Sequence, residues 1–196
     1  MNIEKAKKVL GKEFGFNADF ANAVIQELRL PKNARILDIG TGLGNMAIVL
    51  ALNGYSVLTG EPEADDSVYA KQDWLANARK AGVDHLIEFK SFEAESMPFE
   101  DSSFGAVFML GSLHHIDEHN RVKVLRECIR VSKQNAVICI YEPNQKGIKM
   151  IREKNPSHPD AADPGEYVKG LHLEETRKSG EFFNAFIFNK IQHTKF

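Results

Sequence analysis

The chain has 196 residues, of which 43% are hydrophobic and 27% are charged, and its formal net charge at pH 7 is −2. This composition is typical of a globular protein, so we expect one domain over residues 1–196 and exclude a disordered, fibrous or collagen-like chain. The charge balance supplies no strong field, so we expect neither nucleic acid nor an anionic membrane as a partner.

Short apolar runs alternate with segments of helical periodicity as far as residue 141, which is typical of a parallel β-sheet covered by helices. We predict strands over Ala34–Ile39, Tyr55–Thr59, Leu86–Phe89, Phe104–Leu110 and Ala136–Tyr141. We predict helices over Ile3–Leu10, from Asn17 to the residue before Pro31, and over Asn45–Asn53, Asp66–Ala81 and His119–Ser132. The first two helices make up an N-terminal segment over residues 1–30. This alternation predicts a doubly wound α/β sheet.

The C-terminal part departs from this alternation. Pro156, Pro159 and Pro164 lie close together among His and Asp residues, so we predict an irregular substrate loop or lid over residues 144–170. Two further strands, Leu171–Thr176 and Phe182–Asn189, are predicted to form a hairpin at the edge of the sheet.

The two cysteines, Cys128 and Cys139, both lie in apolar segments, and their spacing matches no zinc or redox motif. We therefore expect reduced thiols in the core of a cytoplasmic protein. The first sixteen residues are rich in lysine and have no long apolar stretch, so we expect no signal peptide. No run approaches the roughly 20 apolar residues of a membrane span.

The segment Ile36–Gly44, with the sequence ILDIGTGLG, carries the most chemical information. A buried strand containing Asp38 leads into a turn with Gly40, Gly42 and Gly44, and glycine lets a backbone turn sharply and approach a ligand closely. A dinucleotide site has the pattern Gly-x-Gly-x-x-Gly. Here the third glycine comes one residue early, and a pyrophosphate would meet the Asp38 carboxylate. The turn therefore disfavours NAD and favours a cationic ligand.

A second carboxylate, Glu61, follows the second strand about twenty residues after the glycine turn and precedes Pro62. At that position a carboxylate can accept two hydrogen bonds from the diol of a ribose. This feature favours an adenosine-containing ligand without distinguishing between nucleoside cofactors. The alternative is that Glu61 is a turn residue that only contacts solvent.

Together these segments resemble class I S-adenosylmethionine-dependent methyltransferases of the small-molecule, ubiquinone/menaquinone-biosynthesis type. The resemblance rests on Ile36–Gly44 and Glu61-Pro62, followed in order by Phe92–Phe99, Ser103–Val107, Leu113–Ile116 and Glu127–Val131. It covers about Ala34–Pro143 and implies a mostly parallel, seven-stranded Rossmann-like sheet with an antiparallel C-terminal edge strand. It also implies transfer of a methyl group from S-adenosyl-L-methionine to a small-molecule acceptor, with S-adenosyl-L-homocysteine as product.

The cofactor-binding residues that the resemblance implies are Asp38, Gly40, Thr41, Gly42, Gly44, Glu61, Pro62, Glu93, Ala94, Leu110 and Gly111. By this resemblance, Asp38 and the Gly40 backbone hold the amino end of the cofactor, and Glu61 holds the ribose hydroxyls. Glu93 accepts a hydrogen bond from the exocyclic amine of adenine, and the Ala94 amide is offered to the ring. Leu110 and Gly111 lie at the end of the fourth strand and line the part of the cofactor site from which the methyl group is transferred.

His114 and His115 follow the fourth strand and are candidate general bases. A base helps when the acceptor is a hydroxyl or a phenol, because its proton must be removed. The alternative is that one histidine packs against the sheet or caps a helix while the other faces water.

Two groups of side chains suggest a metal site. One contains His114, His115 and His119, and the other contains His158, Asp160 and Asp163. Neither group has the ligand spacing of a known metal motif, so we predict no metal.

Two other functions stay open on the sequence alone. One is a catalytically inactive module that binds S-adenosylmethionine or S-adenosylhomocysteine, and the other is a nicotinamide-dependent oxidoreductase. We expect the aromatic strand with Phe182, Phe183, Phe186 and Phe188 to be core and a candidate surface for a homodimer.

Overall fold

The computed structural model describes residues 1–67 and 69–191. The strands are β1 Arg35–Ile39, β2 Ser56–Gly60, β3 Ile87–Phe89, β4 Phe104–Leu110, β5 Ser132–Pro143, β6 Leu173–Ser179 and β7 Phe183–Lys190. The helices are α1 Ile3–Leu10, α2 Lys12–Leu28, α3 Asn45–Leu52, α4 Trp74–Ala81, α5 Glu118–Val131, α6 Gln145–Lys154 and α7 Pro164–Tyr167. Single 3₁₀ turns lie at Asp84–Leu86 and Leu113–His115.

All seven strands form one sheet in the order β3-β2-β1-β4-β5-β7-β6. The first five strands run parallel, and β6 and β7 form an antiparallel hairpin whose β7 pairs with β5. The chain moves outward from β1 through β2 to β3 and then places β4 on the other side of β1. This confirms the predicted doubly wound, mostly parallel α/β sheet with antiparallel C-terminal strands.

Two hydrophobic cores cover the two faces of the sheet, because successive side chains of a strand point to opposite faces. Ile36 and Ala106 pack with residues of α1 to α4, whereas Leu37 and Val107 pack with residues of α5. Coverage of both faces explains why β1 and β4 are apolar almost throughout. Within the described residues, no helix has both the length and the apolar character needed to cross a lipid bilayer.

The second helix begins earlier than predicted. It starts at Lys12 rather than Asn17, directly after Gly11, whose φ of 83° takes the chain out of α1. The early start buries Phe14, which is 1% exposed. The helix therefore extends further toward the N-terminus than a helix capped by Asn17 would.

The predicted helix over Asp66–Ala81 is wrong in its first half. α4 begins at Trp74, and the Asp73 side chain accepts a hydrogen bond from the Ala76 amide at 3.0 Å to cap it. Lys71, two residues before this cap, has a φ of 54°, which is incompatible with a continuous helix.

The irregular segment predicted around Pro156 and Pro159 is present, whereas the wider segment over residues 144–170 also contains two helices that were not predicted. Asn144 accepts a hydrogen bond from the Gly147 amide at 3.0 Å and so begins α6. Pro156 and Pro159 follow this helix, and Pro164 occupies the first turn of α7, where a missing N–H is tolerated. Residues 155–163, between the two helices, and residues 168–170, after α7, belong to neither a helix nor a strand.

Candidate functional site

The carboxyl ends of β1, β2 and β4 meet at one edge of the sheet. The register pairs Ile39 with Gly60 on one side and with Met109 on the other. Here the strand order reverses, and open α/β sheets bind their ligands outside the carboxyl ends of the strands at such a point. The glycine turn leaves β1 at this edge and leads into α3.

The glycine turn needs glycine for its backbone conformation and for close packing. Gly40, Gly42 and Gly44 have φ angles of 90°, 47° and 81°, all in the left-handed region. A Cβ on Gly40 would lie only 2.1 Å from Ser112 Oγ, and a Cβ on Gly44 would lie 3.1 Å from Trp74 Cβ. The turn therefore lies directly against the segment that follows β4 and against the start of α4.

Asp38 is fully buried in β1, and one of its carboxylate oxygens has no partner. Oδ2 accepts a hydrogen bond from Thr59 Oγ1 at 2.9 Å, and Thr41 Oγ1 lies 3.1 Å from that hydroxyl. Oδ1 has no hydrogen-bond partner among the described residues. Desolvation raises the pKa of Asp38 from 3.8 to about 7, although the Thr59 hydrogen bond lowers it. A cationic donor placed at Oδ1 would stabilise the ionised carboxylate.

Both carboxylate oxygens of Glu61 accept hydrogen bonds from backbone amides. Oε2 accepts from the Gly42 amide at 3.0 Å, and Oε1 accepts from the Lys71 amide at 2.6 Å. The chain near Lys71 folds back so far that the carbonyl oxygen of Tyr69 lies 3.5 Å from the position of a Cβ on Gly42. Glu61 therefore holds this part of the chain against the glycine turn.

Glu93 and Ala94, which are predicted to contact adenine, follow a residue that is hydrogen-bonded to Glu61. The Phe92 amide donates a hydrogen bond to the Glu61 carbonyl at 3.3 Å, so Glu93 and Ala94 continue from that point. Ala94 is buried, whereas Glu93 is exposed, as a side chain available to a ligand would be. Pro62 is half-buried directly after Glu61.

The residues predicted at the methyl-transfer end lie next to the histidines. Leu110 ends β4 and is half-buried. The Gly111 amide donates to the Tyr141 carbonyl at 2.7 Å, and a Cβ on Gly111 would lie 4.0 Å from His114 Cε1. The end of β4 therefore connects the glycine turn with the candidate bases.

His114 is buried in the turn after β4, and Glu142 of β5 holds it. His114 Nδ1 lies 2.6 Å from Glu142 Oε2. The same carboxylate accepts hydrogen bonds from the amides of Leu113 at 3.1 Å and Ala162 at 3.2 Å. A carboxylate oxygen accepts here, so Nδ1 donates, and in the neutral imidazole Nε2 then carries the lone pair. Nε2 is buried and has no hydrogen-bond partner in the described part of the chain.

His115 and His158 lie beside His114, and we call these three residues the histidine cluster. Ring centroids are 4.2 Å apart for His114 and His115, 5.0 Å for His114 and His158, and 5.2 Å for His115 and His158. Desolvation and the two neighbouring histidines lower the pKa of His115 to about 4, and desolvation is also the main cause of the lowered pKa of His158. The Tyr69 ring packs on His115 and His158, with centroids 5.0 and 5.7 Å away.

The cluster differs from both groups that the sequence suggested as metal ligands. His158 joins the pair after β4, and the candidate ligand atoms of the three residues all lie within 4.8 Å of one another. Asp160 and Asp163, which were grouped with His158, pair instead with Arg152 and Arg177. His119 is exposed at the start of α5.

An open groove of about 1310 Å³ lies along α6. Residues 160–163 and α6 line it, together with Glu142 of β5 and Phe186 of β7. The groove therefore touches Glu142, which holds His114, whereas none of the three histidines of the cluster lines it.

Residues 37–140 match the family model described as a methyltransferase domain, which is more than half of the chain. The chain belongs to this family. The predicted resemblance to class I S-adenosylmethionine-dependent methyltransferases is thereby confirmed.

Relatives of this methyltransferase domain include the 27-O-demethylrifamycin SV methyltransferase of Amycolatopsis mediterranei, 31% identical over 131 residues, which are 65% of this chain and 46% of that protein. Sterol methyltransferase-like 1 of Botryococcus braunii is 31% identical over 173 residues, which are 84% of this chain and 42% of that protein. The chain thus spans less than half the length of either relative. A solved S-adenosylmethionine-dependent methyltransferase of Aquifex aeolicus shares the fold, with a TM-score of 0.66 and 20% identity over 96% of this chain and 98% of that one.

Three residues of the methyltransferase site were not identified from the sequence. Glu142 had a usable signal, because it is an acidic residue at the end of a buried strand adjacent to β4. Thr59 also had one, since the register of β1 and β2 places it opposite Asp38. Tyr69 had none, because its segment was predicted to be helical.

Proposed function

We propose that this methyltransferase domain transfers a methyl group from S-adenosyl-L-methionine to a small-molecule acceptor, leaving S-adenosyl-L-homocysteine. The observation that carries this proposal is the pair of buried carboxylates, Asp38 and Glu61, beside the glycine turn at the carboxyl ends of β1 and β2. Asp38 has an unpartnered oxygen for a cation, and Glu61 has two oxygens for a diol. This cofactor presents both groups, an ammonium and a ribose diol.

The residues of the glycine turn fit this cofactor. Asp38 Oδ1 would accept from the ammonium, which would satisfy the orphaned oxygen and favour its ionised form. Glu61 would accept from the ribose hydroxyls once the Lys71 amide has left Oε1. All the cofactor-binding residues predicted from the sequence are retained in the proposal, including exposed Glu93 and the Ala94 amide for adenine.

The bound cofactor would supply a methyl group on a positively charged sulfur, so the difficult reactivity belongs to the cofactor. The chain's own residues position the acceptor, exclude water and remove a proton. We assign the proton removal to His114, because its Nε2 lone pair is unpartnered. Glu142 is a positioning residue: it fixes the tautomer through Nδ1 and stabilises the imidazolium that forms. His115 and Tyr69 would form the wall around this base.

The acceptor is proposed to be a small molecule that occupies the groove beside Glu142. The names of the relatives, which specify a rifamycin and a sterol methyltransferase, support an acceptor of this size class. The helix α6, which lines the groove, also belongs to residues 144–170, the segment predicted from the sequence to be a substrate loop or lid.

Three further predictions remain proposals. We expect no nucleic-acid partner, since the formal net charge is −2. We expect a cytoplasmic location, in keeping with the buried and free thiols of Cys128 and Cys139. A homodimer would use the outer edge of β6, because β7 is paired on both sides and Phe188 is fully buried.

Calorimetric titration and a methyl-transfer assay test the proposed function together. S-adenosylhomocysteine should bind the chain, and at 100 times its dissociation constant it should add about 2.7 kcal/mol to the free energy of unfolding. Labelled methyl groups from S-adenosylmethionine should reach a member of a panel of hydroxylated, phenolic and amine compounds. Glu61→Ala should weaken binding by about 1.5–3 kcal/mol, the range for hydrogen bonds to a charged group.

The exposed neighbour Glu63 provides the matched control, and Glu63→Ala should bind S-adenosylhomocysteine as the wild type does. Binding without transfer across the panel would favour the inactive module over the enzyme. Binding of NAD(H) in place of S-adenosylhomocysteine would refute the proposal.

A further inference from the structure

The histidine cluster joins two distant parts of the chain. His114 and His115 belong to the turn after β4, and His158 belongs to the irregular residues 155–163. Their candidate ligand nitrogens all lie within 4.8 Å of one another. We propose that these three imidazoles form a binding site for a first-row transition-metal ion of the zinc class.

The spacing of the cluster is close to that of a metal site. Zn–N bonds of about 2.0–2.1 Å in tetrahedral geometry place two ligand nitrogens about 3.4 Å apart. The widest pair in the cluster would therefore close by about 1.4 Å at most. His158 can supply this movement, because its segment belongs to neither a helix nor a strand.

His114 already has the orientation of a metal ligand. Its Nε2 is buried without a partner among the described residues, although an unsatisfied buried acceptor is destabilising. Its Nδ1 donates to the Glu142 carboxylate at 2.6 Å. Ligating histidines typically donate their second nitrogen to a carboxylate or a carbonyl, which fixes the tautomer and raises the basicity of the ligand.

His158 repeats this arrangement with a carbonyl. Its Nδ1 lies 2.9 Å from the carbonyl oxygen of Pro159, which can only accept, so the lone pair is on Nε2. The neutral imidazoles of His114 and His158 thus both donate through Nδ1, which leaves Nε2 free of a proton for a metal ion.

The composition of the cluster selects the class of ion. Three imidazoles suit zinc, cobalt, nickel and copper, whereas Mg²⁺ and Ca²⁺ prefer oxygen ligands. Three protein ligands also leave one position of a four-coordinate ion open to an exogenous ligand. The inference does not rest on the proposed function, because it uses only the arrangement of the three imidazoles, and it competes with the role of base that the proposed function gives to His114. A bound ion occupies the Nε2 lone pair that accepts the proton, so metal binding and proton removal by His114 exclude each other.

Titration of the full chain with Co²⁺ tests the site without an activity measurement, because Co²⁺ bound by nitrogen ligands absorbs visible light. The wild type should show a saturable band at one ion per chain, and Zn²⁺ should displace it. His158→Ala should lower the Co²⁺ affinity at least about tenfold. His119→Ala is the matched control, since His119 is exposed and outside the cluster, and its affinity should equal that of the wild type.

S-adenosylhomocysteine titrated into the same samples separates this inference from the proposed function. Binding of S-adenosylhomocysteine by His158→Ala would show that the variant is folded. A wild type without a saturable Co²⁺ band, or a folded His158→Ala with unchanged Co²⁺ affinity, would overturn the metal site. A Co²⁺ band in a wild type that does not bind S-adenosylhomocysteine would support the metal site and count against the proposed function.

Discussion

His114 Nδ1 and Glu142 Oε2 lie 2.6 Å apart, and both side chains are only 2% exposed. Leu113 and Ala162 satisfy the remaining acceptor positions of the carboxylate through their amides. A buried carboxylate is stable only when its oxygens are hydrogen-bonded in this way. Glu142 therefore fixes the imidazole of His114 and the two backbone segments around it in one arrangement.

Glu142→Gln should lower methyl transfer strongly while leaving cofactor binding unchanged. A glutamine side chain can present its NH₂ group to Nδ1, which would force the proton of His114 onto Nε2, where the base must be free. Loss of such a partner typically lowers activity by about 10–100-fold. Steady-state transfer and calorimetry with S-adenosylhomocysteine measure the two effects.

Glu174→Gln, on the exposed face of β6, is the control and should behave as the wild type in both assays. Transfer by Glu142→Gln at the wild-type rate over the whole pH range would remove His114 from the role of base.

Asp38→Asn should change how the stability of the ligand-free protein depends on pH. The folded chain raises the pKa of Asp38 from 3.8 to about 7, chiefly by desolvation. Between these values the folded state retains a proton that the unfolded state has lost, so stability falls as pH rises, by about 1.4 kcal/mol per pH unit. The neutral amide of the variant cannot contribute to this fall.

Urea unfolding between about pH 4.5 and 7.5 gives this dependence as the difference between wild type and variant, in which the other titrating groups cancel. Asp117→Asn, at an exposed position, should retain the wild-type slope. Parallel curves for wild type and Asp38→Asn would show that the carboxyl is ionised throughout.

Binding of S-adenosylhomocysteine should release the Lys71 amide from Glu61. Each oxygen of Glu61 already accepts from a backbone amide, at 3.0 Å for Oε2 and 2.6 Å for Oε1, so the two ribose hydroxyls would compete with these amides for the carboxylate. Hydrogen exchange of the Lys71 amide, followed by NMR, should therefore become faster with the ligand bound. The Ala76 amide is the internal control: it donates a hydrogen bond to the Asp73 side chain and should exchange at an unchanged rate. Slower exchange at Lys71 would mean that the ribose does not use this oxygen.

Gly40→Ala and Gly54→Ala form a matched pair that separates backbone strain from contact with Ser112. Their φ angles are 90° and 89°, so both substitutions should cost about 1–3 kcal/mol in backbone strain. A Cβ on Gly54 meets nothing within 4 Å, whereas one on Gly40 lies 2.1 Å from Ser112 Oγ. Urea unfolding should show the larger loss for Gly40→Ala, and calorimetry should show lost S-adenosylhomocysteine binding in that variant alone. Equal effects in the two variants would mean that the turn tolerates a side chain.

The sheet and the placement of Asp38 and Glu61 beside the glycine turn were predictable because their signals are local. Buried strands show as apolar runs, and the turn after β1 shows its glycines directly in the sequence. The parallel arrangement then places Asp38 and Glu61 at one edge, since the carboxyl ends of β1 and β2 coincide. The hairpin of β6 and β7 was predicted within a few residues for the same reason.

The acceptor end was less predictable because it depends on contacts between distant residues. His158 and His114 are separated in the sequence by α5, β5 and α6, so their contact depends on the tertiary structure. The helix α6 was not predicted, because the prolines that follow it dominated the interpretation of its segment. The helix predicted over Asp66–Ala81 failed for a related reason. Hydrogen bonding of the Lys71 amide to Glu61 favours a left-handed residue there over a continuous helix.

The three donors on the Glu142 carboxylate have a consequence for engineering the acceptor range. Leu113 and His114 belong to the turn after β4, and Ala162 belongs to the irregular residues 155–163, so any replacement at position 142 must satisfy donors from two distant parts of the chain at once. Library designs that aim at new acceptors should therefore keep this glutamate and vary the solvent-facing side chains of α6, where each exchange alters one wall of the groove and leaves the His114 imidazole aligned.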